Sequence, residues 1–434
     1  RGSMTTLKRR CWSRWQYLCV WLLTFFAGMT GQVSGAESMQ PVQSEIQASH
    51  QMHQDHSEQS SGWRIMQDGV VFLTANRQDR PRGDTELVSQ NWWMGMASRS
   101  IGRSTLTFTG MLSGEPLTMG GDGYSEIFQT GEAYQGHAIT DRQHPHDFVM
   151  QLVGIWRSAL SNGTGLTVAG GPVGEATLGP VAFMHRQSAF ENPFAPLSHH
   201  TFDATHIAKG IVAGMVDHGP FAVEGSIFHG REPDEHRWGI SDIGALDSWA
   251  TRVWWRPNPS FAVQASHGFL RNPEALEPGN VRRTTASVSW FRRSVGGFTA
   301  ITAAYGRNQK EHAASIFDAL LIEGTHRKSK HVFYSRLEVV DAETGLLLGG
   351  HEGEAHGAPS TILAMTVGAL RDLPTVKGFE LGLGGDVTFH RSPDQLAGIY
   401  GSTPVSFKVF LRVRLPASTM GRMQDMTMMR PMAH

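Results

Sequence analysis

Cysteine is nearly absent from this 434-residue chain: there are two, Cys11 and Cys19, both close to the start. Neither a disulfide framework nor a cysteine metal site can hold the remainder together. An excess of charge is missing as well, since 38 Lys and Arg against 39 Asp and Glu leave a formal net charge of −1. That argues against nucleic acid as a partner. After residue 36 no apolar run approaches the roughly eighteen residues of a spanning helix. Enzyme signatures are lacking too: there is no Gly-x-Ser-x-Gly elbow, no His-Glu-x-x-His and no phosphate-binding glycine loop. Met119-Gly120-Gly121-Asp122-Gly123 is glycine-rich but reads as a turn.

What is present begins with a leader. Arg1-Gly2-Ser3 precede the first methionine and read as an expression remnant. From Met4 the chain shows a basic stretch (Lys8, Arg9, Arg10, Arg14), an apolar core from Leu18 to Gly28, and small residues Ser34-Gly35-Ala36. This is the pattern of a secretory signal peptide, whose removal would take both cysteines with it. Residues 37–61 are rich in Gln and His, with Met52, His53 and His56, and lack an apolar period. They are expected to form a flexible periplasmic arm.

From Gly62 the apolar residues alternate. Leu106, Phe108, Gly110 and Leu112 share one face against Thr105, Thr107, Thr109 and Met111. Phe379, Leu381, Leu383, Val387 and Phe389 oppose Glu380, Asp386, Thr388 and His390; Phe407, Val409, Leu411, Val413 and Leu415 oppose Lys408, Arg412 and Arg414. Successive strand side chains point to opposite faces, so each such strand has one greasy and one polar side. The pattern places strands near 63–75, 88–100, 104–115, 148–159, 164–174, 208–217, 220–231, 248–257, 261–270, 283–293, 297–306, 317–327, 331–341, 360–371, 378–390 and 404–415. Short joints such as 101–103, 161–163, 218–219 and 257–259 alternate with long ones such as 116–147, 175–207, 232–247 and 342–359. Short turns on one side and long loops on the other are the rhythm of an all-β, transmembrane antiparallel barrel of about sixteen strands, here spanning 62–416. In that reading Arg252, Arg336, Glu338, Glu380, Asp386, Arg412 and Arg414 line a wet lumen. Trp92, Trp93, Trp156, Trp254, Trp255, Trp290 and Tyr400 belong to interfacial belts. A soluble sandwich with the same charges facing solvent is the alternative.

Two long loops hold the densest polar clusters. One ends His144-Pro145-His146-Asp147; the other carries His185, then Glu191, then His199-His200, Asp203 and His206. Imidazole and carboxylate suit zinc, copper, nickel or iron, and inward folding would let the clusters meet. A constriction loop pinned by His–Asp and Arg–Glu contacts explains the same residues without a metal. His229 to Arg237 mixes both signs and reads as a self-neutralising loop. Residues 417–434 form a methionine-rich tail expected on the periplasmic side, with Met420, Met423, Met426, Met428, Met429, Met432 and His434. Thioethers select Cu(I), so these are candidate copper ligands. A hydrolase using Ser188 or Ser198 with a loop histidine is a further alternative, since triads need no fixed order.

The stretches Arg142-Gln143-His144-Pro145-His146-Asp147, Gly179 to Arg186, His199 to His206, Gly230 to Glu235 and Phe410 to Arg414 resemble a family of uncharacterised bacterial outer-membrane proteins associated with copper-resistance determinants. In plan the chain is also similar to copper-resistance protein B, a barrel with a Met/His-rich periplasmic arm, although here the densest methionine run is C-terminal. The resemblance implies copper association, with no catalytic residues to carry over. The expectation is an exported outer-membrane barrel, in contact with lipid, that exports, sequesters or confers resistance to copper, together with periplasmic copper proteins. A general diffusion porin for small solutes, narrowed by its loops, and an outer-membrane enzyme are the alternatives.

Overall fold

Alternation builds the wall, and the wall closes. A computed structural model describes residues 62–203, 208–240, 243–277, 279–311, 315–349, 359–418 and 421–431. The leader, the arm and His206, Met420, Met432 and His434 lie outside the described residues. The strands are β1 (Arg64–Arg77), β2 (Thr85–Val88), β3 (Asn91–Ile101), β4 (Ser104–Leu112), β5 (Tyr124–Tyr134), β6 (His137–Gln143), β7 (Val149–Ala159), β8 (Thr164–Gly174), β9 (Ala208–His218) and β10 (Phe221–Gly230). There follow β11 (Ser248–Asn258), β12 (Phe261–Leu270), β13 (Val281–Ser294), β14 (Gly297–Lys310), β15 (Ser315–Lys328), β16 (His331–Ala342), β17 (Ser360–Asp372), β18 (Glu380–Arg391) and β19 (Val405–Arg414).

All but β5 and β6 belong to one antiparallel sheet of seventeen segments. β2 and β3 both pair with β1 and are two pieces of one stave, broken at Ser89-Gln90, so the wall has sixteen staves. β1 also pairs with β19, from Val70↔Arg414 to Arg77↔Phe407, which seals the ring. Closure leaves no open edge, as a wall in lipid requires, because each unpaired backbone group there costs several kcal/mol. Sixteen staves and most of their expected limits therefore stand. At one end the joints are tight: Gly102 and Gly219, at φ 59° and 55°, take the left-handed conformation that two-residue hairpin turns need. The other end carries the long loops 113–148, 175–207, 231–247, 343–359 and 392–404.

Side chains obey the two-residue period. Leu73, Phe108, Leu152, Val168, Val216, Val223, Val253, Phe333, Leu383 and Val409 stand exposed on the outside. Their neighbours Thr74, Thr107, Thr109, Thr167, Glu224, Arg252, Lys408 and Arg412 are buried inside. A greasy exterior around a charged interior is the inverse of a soluble sandwich, and it fits a bilayer. Among the described residues no helix is long and apolar enough to cross a membrane; the strands cross instead.

Three expectations change. The loop after β4 contains a hairpin of its own, β5–β6, whose register breaks twice and whose residues are mostly buried. Trp93, Trp156 and Trp255 face outward, but Trp254 points inward with its ring under Arg252 and Arg256, and Trp92 packs on His185. Tyr400 lies in a short loop helix and donates to Asp141 on β6, 2.9 Å away.

Candidate metal centre in a plugged lumen

The inward charges do not line open water. Each of them meets a partner on the wall, on an inward-folded loop or on the tail. Glu191, on loop 175–207, is fully buried, with Oε1 2.6 Å from Arg327 and 3.3 Å from Arg414, and Oε2 2.5 Å from Arg412. Burial alone would raise its pKa, but these three guanidinium groups more than reverse that and hold the carboxyl far below the usual range. On the same loop Arg186 reaches Glu323 at 2.7 Å, and Arg336 binds the other oxygen of that carboxylate. Ser198 donates to Glu338 at 2.7 Å, and Ser188 donates to Glu323 and shares a hydrogen bond with the Thr302 hydroxyl. Arg252 lies between Glu224 and Glu175, and Asp386 between Lys408 and the Tyr334 hydroxyl. Asp147 pairs with Lys209 at 2.7 Å and with Arg237, which also reaches Glu132. Arg237 thus leaves the expected self-neutralising loop and enters the interior.

The C-terminal tail fills the lumen from the opposite end. It was expected beyond the barrel, yet Met423, Met426, Met428 and Met429 are all buried. A wall carboxylate, a carboxylate at the start of loop 175–207 and a loop carbonyl accept its backbone N–H groups: Met423 donates to Asp68, Met428 to Glu175, and Asp425 to the carbonyl of His185. Arg422 binds Asp68 at 3.0 Å and Glu380 at 2.5 Å. An irregular segment whose donors are met by carboxylates and a carbonyl carries no hydrophobic period, so its burial leaves no trace in the sequence pattern.

Where loop and tail meet, the lumen is lined with sulfur. Met66, Met94, Met96 and Met111 project inward from β1, β3 and β4 and pack with Met423 and Met426, with Met150 and Met184 at the margin. A cavity of about 50 Å³ opens among Met94, Met111, Met184, Met426 and Met428, and His146, Asp147, His185 and Lys209 form its polar edge. Burial lowers the His185 pKa and keeps its ring neutral; Nδ1 lies 3.1 Å from the Met423 carbonyl. Burial would lower that of His146 too, but Glu115, 2.9 Å from Nδ1, outweighs it and raises the pKa. His185 is therefore the imidazole held in its metal-binding form. The wall methionines were not singled out in the sequence. Their signal was Met111 sharing the Thr105, Thr107 and Thr109 face.

A second cluster lies beside the first. His144, at the end of β6, meets His199 and His200 of the short helix His199–Phe202, with one ligand atom from each ring within 4.8 Å of the others. The ring centroids of His144 lie 5.8 Å from His199, 5.2 Å from His200 and 6.2 Å from His146. His144 Nδ1 is 3.1 Å from Glu132 Oε1, and His199 Nδ1 is 2.9 Å from Asp203 Oδ2. Of the predicted set, then, His144, His199 and His200 converge and Asp203 stands behind them. His146, Asp147 and His185 belong to the methionine cavity.

These features define the class: a closed, membrane-spanning barrel of outer-membrane type whose lumen is occupied by its own loops and its tail. No family model matches the chain, and no curated relative does. Among solved structures the chain is similar to a loop-L8 deletion mutant of OmpT, an outer membrane protein of Vibrio cholerae, at 12% identity over 81% of this chain and 99% of that one, TM-score 0.48. It is also similar to an anion-selective porin from Comamonas acidovorans (11%, 82% and 100%, TM-score 0.46) and to Salmonella typhi OmpF in complex with daunomycin (9%, 82% and 98%, TM-score 0.48).

Proposed function

We propose that this barrel binds copper(I) inside its lumen and thereby sequesters or moves copper at the outer membrane. The observation that carries the reading is the methionine cavity: wall, loop and tail each contribute thioethers to one space with the His185 imidazole at its edge. Soft thioether ligands select Cu(I) over hard cations. The tail contributes from within the lumen, and the family resemblance points the same way.

The test is anaerobic Cu(I) titration of the whole protein in detergent against a competing chelator. Met94, Met96 and Met111 are changed together to Leu, which conserves volume and keeps packing losses near or below about 1.5 kcal/mol per site. At least one Cu(I) equivalent is expected to be lost with the fold intact; equal stoichiometry and affinity overturn the proposal. A general diffusion porin is the second reading, favoured by loop 175–207 folding inward across a sixteen-stave wall wide enough for a channel. Conductance to ordinary ions that Cu(I) and chelators leave unchanged would select it.

A further inference from the structure

We infer that His144, His199 and His200 form a second metal site, distinct from the methionine cavity, that takes a divalent ion of borderline softness, Zn(II) or Cu(II). This goes beyond the copper(I) reading, since it uses different residues, different donor atoms and a different oxidation state.

The donors are three imidazole nitrogens drawn from two loops, with His144 fifty-five positions before His199 in the chain. No local sequence constraint brings them together; the inward fold does. Behind them stand two carboxylates. Glu132 faces Nδ1 of His144 and Asp203 faces Nδ1 of His199. A carboxylate at Nδ1 selects the tautomer whose lone pair sits on Nε2, and metal-ligating histidines are oriented in this way. Both rings are almost wholly buried, so the charge of a bound cation would act through little solvent.

His200 is fixed from both sides. Its carbonyl accepts from Arg283 at 2.5 Å and from Asn308 at 3.2 Å. Its ring lies against Gly131, at φ 138°, where a Cβ would sit only 2.5 Å from Nε2. Zinc–nitrogen bonds of about 2.0–2.1 Å put tetrahedral ligand nitrogens roughly 3.3 Å apart. The trio, spread over at most 4.8 Å, therefore closes by up to about 1.5 Å on binding, within reach of side-chain torsions. Three imidazoles leave a fourth position open, and nitrogen donors without thiolate suit Zn(II) and Cu(II) rather than Ca(II) or Mg(II).

The experiment titrates the full protein in detergent with Zn(II) and, separately, with Cu(II) under oxidising conditions, followed by metal analysis and Cu(II) electron paramagnetic resonance. One equivalent of either ion is expected, with nitrogen couplings in the Cu(II) spectrum. It should be lost in H144Q/H200Q and retained when the exposed His236 is changed to Gln. Because the double variant removes buried rings and could fail to fold, D203N serves as a second reading. It keeps all three imidazoles and should weaken binding 10- to 100-fold. Wild-type protein that takes up neither ion, H144Q/H200Q that binds as wild type does, or D203N with unchanged affinity overturns the assignment.

Discussion

Removing the carboxylate of Glu191 should open the lumen. Three arginines on the wall converge on this one buried loop side chain, Arg327 and Arg412 within 2.6 Å and Arg414 at 3.3 Å. Removing one partner of a buried ion pair leaves an uncompensated charge and costs about 3–5 kcal/mol. Asp372 still holds Arg412 at 2.7 Å and contacts Arg327, and Arg414 keeps the Phe190 ring 4.7 Å away. Those contacts place E191A at the low end, about 3 kcal/mol, or roughly a hundredfold in the docked-to-undocked ratio of this stretch of loop. Single-channel recording in planar bilayers should show rare, small openings for the wild type and frequent, larger ones for E191A. An E191A barrel with wild-type open probability and thermal midpoint would refute the idea that this cluster holds the plug.

The same carboxyl sets a pH expectation. Its folded pKa is depressed, so its stabilisation is complete above the ordinary glutamate range and is lost only as pH falls through a value far below that range. Acidification to pH 4 should therefore leave the wild-type lumen closed in the same recordings. Asp425 in the tail works in the opposite sense: burial raises its pKa to about 6, so tail docking is favoured at low pH and weakens as pH rises from about 4 through 6. Hydrogen exchange across 421–431, corrected for intrinsic rates, should quicken over that window in wild type and not in D425N. Val409 faces outward near the middle of β19, so V409K should cost about 2–4 kcal/mol in denaturation from liposomes. No change there would mean that this face does not meet lipid.

The wall was legible in the sequence because lipid on one side and a charged interior on the other impose a strict two-residue period on every stave. Val409 and Lys408, or Leu383 and Gly382, could not exchange faces without inverting the strand. Loops have no such constraint. The β5–β6 hairpin buries Glu126, Gln129 and Glu132 beside Ile127 and Phe128, so its burial follows no apolar alternation. The tail has no period because Asp68 and Glu175, rather than a neighbouring ladder, satisfy its amides. The histidine clusters were visible as composition, but their grouping was not. His144 meets His199 and His200 rather than His185 because the single loop carrying all three sends its short helix toward the end of β6 and turns His185 toward Trp92 and the Met423 carbonyl. Arg252, Arg336, Glu338, Asp386, Arg412 and Arg414 are buried among partners, and a wet pore does not follow from such charges, since inward-facing arginine serves a plug as readily as it serves water.

Packing alone is a weak account of the methionines, for reasons internal to the barrel. Methionine fills irregular gaps well, so any single one of them could be filler. Filler should be spread wherever the plug meets the wall. Instead the interior is divided by chemistry. Around β16, β17, β19 and the later half of β1 the plugged interior is lined by Val70, Phe72, Val332, Tyr334, Leu370 and Phe410, with no methionine in the group. Around β14 to β17 the loop residues Phe128, Leu197 and Phe202 pack on Ala304, Leu321, Val340 and Ile362, again without methionine. The buried members of the cluster on β1, β3 and β4 are methionines from wall and tail alike, and this is the sector whose cavity carries a neutral histidine. A fourth group, around β7 to β13, mixes Met215, Met428 and Met429 with Leu178, Ile211, Phe228 and Leu270, so leucine and methionine serve volume there alike; only at β1, β3 and β4 are the buried members all methionine. The segregation therefore argues for ligand chemistry at the place where loop, tail and wall converge.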